Sequence, residues 1–447
     1  MHRPEDEPAP TIRSRRHLRT TAVTIALGAV MFTVGAIGLS PSSSSTSPTS
    51  ASASTPTGPA RGIEALRGRV KRLPKDPVSW ADLGMALVQQ ARTTADQATY
   101  SQAETALRRS LALQPAENLH AEIGMGALAA ARHQFRDALT WARKAIETSP
   151  ATPASYGVLA DAHTQLGQYE EAEDAVQKMA DLRPDSASLA RASYTLELRG
   201  DTVRATALME RALRAAGTPG ERAFARTHLS SLALDSGDPA TALRQARAGL
   251  DIAPRDAGLL EARAKASEAA GDRDQAVADY TGAVATAPLP QYLLALGELQ
   301  QSLGHQERAE AQYAVLRAQE TLRRATGTPA DVDAILFEAD HGNPRQAVTM
   351  AEAAVRERPF LAVHDAYAWA LHRAGRDPEA LAEADEALVL GTRSALFLYH
   401  RGAIHQALGT TTAARHDLEQ ALALDPSFHP LHAPAAREAL RRIDDTP

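Results

Sequence analysis

The side chains best suited to chemistry in this sequence are its fifteen histidines. Two pairs stand close together, His400 with His405 and His429 with His432. Neither has metal-ligand spacing: two ligands on one helix face prefer positions i and i+4, and no neighbouring carboxylate or thiolate completes either set. His400 and His405 fall instead on an inter-helix stripe. Asp340-His341-Gly342 reads as a helix end rather than a catalytic dyad. The chain has no Cys, which removes disulfides, thiolate zinc sites, a cysteine nucleophile and a lipidated Cys. The phosphate loop GxxxxGK[ST], the HExxH helix and the calcium loop are absent, and Gly124-Met125-Gly126 is a fragment of a glycine motif. The expectation is a chain that is not an enzyme and carries no cofactor or metal.

Composition limits the framework that could position such groups. With 447 residues, 44% hydrophobic but only 4% aromatic, the core must be built from Ala and Leu. A formal net charge of −6 without a concentrated basic face argues against a nucleic-acid surface.

The N-terminal part reads as an address. Residues 1–21 form a basic tail with Arg3, Arg13, Arg15, Arg16 and Arg19. Residues 22–39, AVTIALGAVMFTVGAIGL, are apolar and uncharged. At about 1.5 Å per residue they are long enough to cross a bilayer core of about 30 Å. The next positive charge is Arg61, so the positive-inside rule keeps the N-terminus cytoplasmic and exports the chain beyond residue 39. A transmembrane anchor and a cleaved signal peptide share this charge order; cleavage after Val34-Gly35-Ala36 would leave a secreted chain starting at Ile37. The Arg15-Arg16 pair faintly resembles a twin-arginine signal. Residues 40–60, rich in Ser, Thr and Pro, read as a linker with a reach of about 25 Å.

The remainder repeats. Glycines at 167, 200, 237, 271, 304, 342, 375 and 409 recur every 33 to 38 residues, each followed five residues later by alanine, and Ala103 and Ala138 extend the series backward. In the unit 153–185, Tyr156, Leu159, Ala160 and His163 share one helical stripe, and Tyr169, Ala172, Val176 and Met179 share a second. Gly167 suits the left-handed end of the first helix, Ala172 a close helix crossing, and Pro184 the stop after the second helix. About ten such units begin near 77, 119, 153, 186, 223, 257, 290, 328, 361 and 395. Gly217-Thr218-Pro219-Gly220 and a long seventh unit read as bends. Residues 61–76 read as an N-terminal capping helix, 77–428 as the array, and 429–447 as a C-terminal capping helix and tail. Fewer than about twenty residues stay unassigned, too few for an added catalytic domain.

This pattern resembles the tetratricopeptide repeat over roughly four fifths of the chain. The resemblance implies an all-α, right-handed superhelical solenoid of helix-turn-helix repeats with capping helices at both ends. It also implies a concave groove lined by the first helix of each unit, at its second, fifth, ninth, twelfth and thirteenth positions. Those positions are mostly apolar or small in the N-terminal half, with Tyr194 and Phe224 among them. The middle gives Glu261, Lys265, Glu268 and Glu298; the C-terminal part gives Asp365, Trp369, His372, Arg373 and Tyr399. Neither Lys nor Asn occupies a fifth position, unlike members that clamp a C-terminal carboxylate. An amphipathic helix or extended segment with apolar anchors and some basic residues fits better. Tyr194, Phe224, Glu261, Glu298, Asp365, Trp369 and Tyr399 are the candidate partner-binding residues, with the aromatic ones as displayed anchors. The same side chains would equally serve to pack one unit on the next. The expected function is a protein-binding scaffold of the cell envelope whose protein or peptide partner is itself exported or membrane-bound. The alternatives are a secreted accessory of solute or metal handling, or a non-catalytic subunit of an envelope enzyme or transporter.

Overall fold

The computed structural model describes residues 59–94, 97–326 and 330–445. The readings of a basic tail, of an anchor or signal at 22–39 and of most of the linker lie outside the described residues. Among those described, no helix is long and apolar enough to cross a membrane. All regular structure among them is helical.

A first helix, α1 (Pro59–Arg72), starts inside the segment read as linker. Ten hairpins come after it. Units one to four are α2 (Pro77–Thr94) with α3 (Gln97–Leu113), α4 (Leu119–Ala131) with α5 (Phe135–Thr148), α6 (Pro153–Gln165) with α7 (Tyr169–Leu182), and α8 (Ser186–Leu198) with α9 (Thr202–Ala215). Units five to seven are α10 (Pro219–Leu234) with α11 (Pro239–Leu250), α12 (Ala257–Ala269) with α13 (Arg273–Thr286), and α14 (Pro290–Ser302) with α15 (Gln306–Thr326). Units eight to ten are α16 (Val332–His341) with α17 (Pro344–Glu357), α18 (Leu361–Arg373) with α19 (Asp377–Ala387), and α20 (Ala395–Ala407) with α21 (Thr411–Leu424). α22 (His432–Asp444) closes the array against α20 and α21.

Local chemistry sets these boundaries. Asp185, Asp201, Asp238, Asp256, Asp272 and Asp331 each accept a backbone N–H of the helix they precede, satisfying donors that the first turn leaves free. The segment 217–220, read from sequence as a bend, is a helix start: Thr218 and Glu221 form a capping box with Pro219 in the first turn, so α10 begins before 223. All ten spaced alanines, from Ala103 to Ala414, are between 0% and 4% exposed. A larger side chain there would push two crossing helices apart. The glycine series holds with one departure. Gly342 has a φ of −133° and does not enter the left-handed region, because the short α16 ends with Glu338 folded back on the Asn343 N–H at 3.1 Å. In unit two, His133 takes the glycine's place at a φ of 60°.

The array winds tightly enough for one superhelical turn to touch the next. The hairpin turn of unit three meets the end of unit eight, that of unit four the end of unit nine, and that of unit five the end of unit ten. At the first contact, a Cβ on Gly167 would lie 2.6 Å from the Pro359 carbonyl oxygen; at the third, one on Gly237 would lie 3.3 Å from that of Leu424. Between them, the backbone of Gly200 abuts the Gly391 carbonyl. Polar contacts cross the same seam. The Leu361 N–H donates to the Tyr169 hydroxyl at 3.1 Å, Thr392 Oγ1 donates to the Leu198 carbonyl at 2.6 Å, and Arg136 pairs with Glu357 at 2.8 Å.

Candidate functional site

The first helices of successive units lie side by side on the concave wall, α16 against α18 and α18 against α20. Because the superhelix is tight, this wall encloses a narrow lumen whose opposite sides reach each other. Three stretches differ in how their charges are met.

Toward the N-terminal units, Arg191 on α8 lies flat over Gly157 and pairs with Asp161 through two bonds of 2.9 Å, from Nε to Oδ1 and from Nη2 to Oδ2. Such a fork on a carboxylate satisfies both ions.

In the middle, carboxyl groups from successive first helices converge. Glu197 lies near the end of α8, Asp235 caps α10 and Glu268 lies near the end of α12. Burial pushes the carboxyls of Glu197 and Asp235 up, and Asp235 repels Glu197 further. Burial also pushes Glu268 up to about 7, with Glu298 and Asp425 adding to the rise. Asp333 on α16 rises by burial and by repulsion from Asp331 and Glu261. Helix C-termini carry partial negative charge, which suits a carboxylate at such an end poorly. Lys265, paired with Glu261 at 2.8 Å, pulls Asp235, Asp333 and Glu268 down, as Arg393 does Asp235 and Arg273 does Glu268, but burial outweighs these charges. Burial pushes the His228 imidazole down to about 4, so this stretch has no histidine cation to spend.

Toward the C-terminal units Asp365, Asp340 and Glu298 are each answered from within the chain. Asp365 accepts from His400 Nδ1 at 3.0 Å. Asp340 accepts from Trp369 Nε1 at 2.9 Å and pairs with Arg373 at 3.2 Å and His432 at 3.5 Å. Glu298 is held between His341 Nε2 and His429 Nε2, each at 3.0 Å. Trp369 stacks on His400 with centroids 4.3 Å apart, and Tyr399 lies 4.8 Å from His432 and 5.6 Å from Phe428.

These positions correct the expectation of displayed anchors. Trp369, Tyr399, Asp365 and Glu298 are 3%, 7%, 1% and 5% exposed, because the last cap reaches back across the lumen over them. Tyr194 is half-buried and packs against the C-terminal core, and the ring of half-buried Phe224 lies tilted against His228 with centroids 4.2 Å apart. Glu261 is half-buried, paired with Lys265 and accepting from Gln291 at 3.3 Å. The structure thus gathers four of the seven residues at one end of the lumen, as internal partners. Asp235, Asp333, Asp340, His429 and His432 are not among the seven. Asp235 is readable from the repeat, since it holds the thirteenth position of its unit; the histidines stand out in the sequence, but their carboxylate partners belong to units seven and eight. Among the described residues, no group of three or more His, Asp or Glu is arranged to hold a metal ion.

A helical-hairpin array of this kind is a protein-interaction scaffold, and its profile is specific. The tetratricopeptide-repeat family matches residues 123–187, 338–395 and 395–428. With ten hairpins that share the spaced alanine, eight of them with the glycine five residues before it, the chain is a tetratricopeptide-repeat protein. No curated protein matches it. Among solved structures it is similar to a thermophilic repeat protein of Thermus thermophilus (23% identity, 42% of this chain and 98% of that chain covered, TM-score 0.38). It is also similar to PilF of Pseudomonas aeruginosa (18%, 50% and 97%, TM-score 0.38) and to yeast Tom70 (13%, 87% and 94%, TM-score 0.38).

Proposed function

We propose that the protein is a non-catalytic scaffold of the cell envelope that receives a basic segment of another protein in the middle of its lumen. The observation that carries this is the grouping of Glu197, Asp235, Glu268 and Asp333 on successive first helices, whose carboxyls burial and neighbouring carboxylates push up despite Lys265, Arg273 and Arg393. A group held in an environment that disfavours its charged form is relieved by an arriving cation, so Lys and Arg side chains would bind there with a gain that rises as these carboxyls ionise. The apolar neighbours Tyr194 and Phe224 offer flanking contact for an amphipathic helix or extended segment. The envelope assignment rests on residues 22–39 and the arginines before them.

Binding of an amphipathic lysine-rich peptide, monitored by fluorescence anisotropy, tests the site. The expected result is saturable binding at pH 7.5 that weakens at least about tenfold in the Glu197→Gln, Asp235→Asn, Glu268→Gln triple variant. Equal binding by the triple variant overturns the site. A reporter fused after Ala60 tests the topology: activity only outside the membrane supports it, and cytoplasmic activity overturns it.

A further inference from the structure

We propose that the segment Phe428–His432 is an acid-released latch that holds the last helix across the lumen. It joins α21 to α22, and its two histidines leave their own unit to reach the neighbouring first helices of units seven and eight. His429 Nε2 meets Glu298 on α14 at 3.0 Å, and His432 Nε2 meets Asp340 on α16 at 3.5 Å. Nothing else about a capping helix requires these contacts, since α22 already packs on α20 and α21.

The direction of the switch is set by the tautomer. His429 Nδ1 accepts the backbone N–H of Leu431 at 3.2 Å and of His432 at 3.3 Å. A ring nitrogen that accepts carries no proton, so Nε2 holds the single proton and donates it to Glu298. A second proton can go only to Nδ1, where it would face two donors and cost both of these bonds.

The surrounding charges divide. Glu298 on α14 attracts a cationic His429 and opposes release. Against it stand His432, whose ring centre is 4.2 Å from that of His429, and His341 on α16. His341 bonds the other oxygen of Glu298 and can answer its charge alone. Asp340 on α16 is shared by Arg373 and Trp369 on α18 as well as His432. Glu268 on α12 lies further off, within electrostatic reach of Glu298. On α20, His400 and Tyr399 face the His432 ring, and Asp365 holds His400. Burial and the neighbouring His429 both depress the His432 pKa, so its neutral form belongs to the closed state. A depressed histidine contributes stability above its unfolded pKa and loses it as pH falls. Acidification puts a positive charge on the His432 ring, packed against His429, Tyr399 and Trp369, and the latch opens.

Hydrogen exchange on the full chain at pH 7.5 and 5.5, corrected for intrinsic rates, tests this. Protection of residues 429–445 is expected to fall roughly tenfold at pH 5.5 while α18 and α19 change less than about twofold. In the His429→Gln, His432→Gln double variant, whose amides can donate but do not titrate, the two pH values should give the same protection within about twofold, whether the segment is closed or open. Unchanged or increased protection of the wild type at pH 5.5, loss spread evenly over the whole chain, or a full pH response in the double variant would each overturn the proposal.

Discussion

The middle and the C-terminal end of the lumen are built from equivalent helices, yet they treat their carboxylates in opposite ways. Glu298, Asp340 and Asp365 are each met by an imidazole, an indole or a guanidinium of the same chain. Glu197, Asp235 and Glu268 are pushed up by burial, helped by Asp235 at Glu197 and by Asp425 at the other two. Burial by itself does not mark a binding site on a concave wall. Where a counter-charge of the chain touches it, a buried acid is part of the fold; where burial outweighs the chain's cations, a cation from outside would still gain by binding.

The sharpest way to break this contrast is at Trp369. Trp369→Ala removes a buried ring stacked on His400 and one of the donors to Asp340, so it should cost about 3–5 kcal/mol in denaturant unfolding. A loss within experimental error would return Trp369 to the role of a displayed anchor and erase the difference between the two stretches.

The narrowness that brings opposite walls together depends on the seam, and two glycines measure it. Gly200 and Gly409 have φ values of 73° and 75°, but a Cβ on Gly409 meets open space, whereas one on Gly200 meets the Gly391 carbonyl. Gly409→Ala should cost about 1–2 kcal/mol for the left-handed backbone alone. Gly200→Ala should cost about 1–3 kcal/mol more. Equal losses would mean that successive turns do not touch in solution.

The smallest effect is expected in the middle of the lumen. Glu268 has a raised pKa, so its contribution to stability is full below the unfolded value and is lost as pH rises through about 7. Glu268→Gln should therefore stabilise the protein at pH 8 by about 1 kcal/mol after allowance for its partial exposure, and leave it unchanged at pH 4. Thermal melts at the two pH values check the sign. Destabilisation at pH 8 would place Glu268 with the satisfied acids.

The fold was legible because it is written locally. Ala172 and its equivalents sit at every helix crossing, and Gly167, Pro153 and Pro184 punctuate one unit without reference to any other. The site was legible only in part. Position counting puts Glu268, Trp369 and Tyr399 on the wall, but it takes exposure for granted at the aromatic positions. Whether Trp369 faces solvent depends on His432, and whether Glu298 is free depends on His429. Those meetings arise from small rotations accumulated over several units, which no spacing within one unit encodes. Asp340-His341-Gly342 shows both sides: it is the helix end the sequence indicates, and it also supplies a carboxylate and an imidazole to the latch region.

The seam also changes what kind of mechanical object this protein is. An open array of hairpins behaves as a soft spring, because each unit touches only its neighbours and can melt or stretch nearly by itself. Here Tyr169, Leu198 and Arg136 are tied to Leu361, Thr392 and Glu357, so stretching the coil means shearing one turn off another. Such a body should yield abruptly at a threshold force rather than lengthen by degrees. During synthesis, its early units must wait for the late ones before their outer surface is dry.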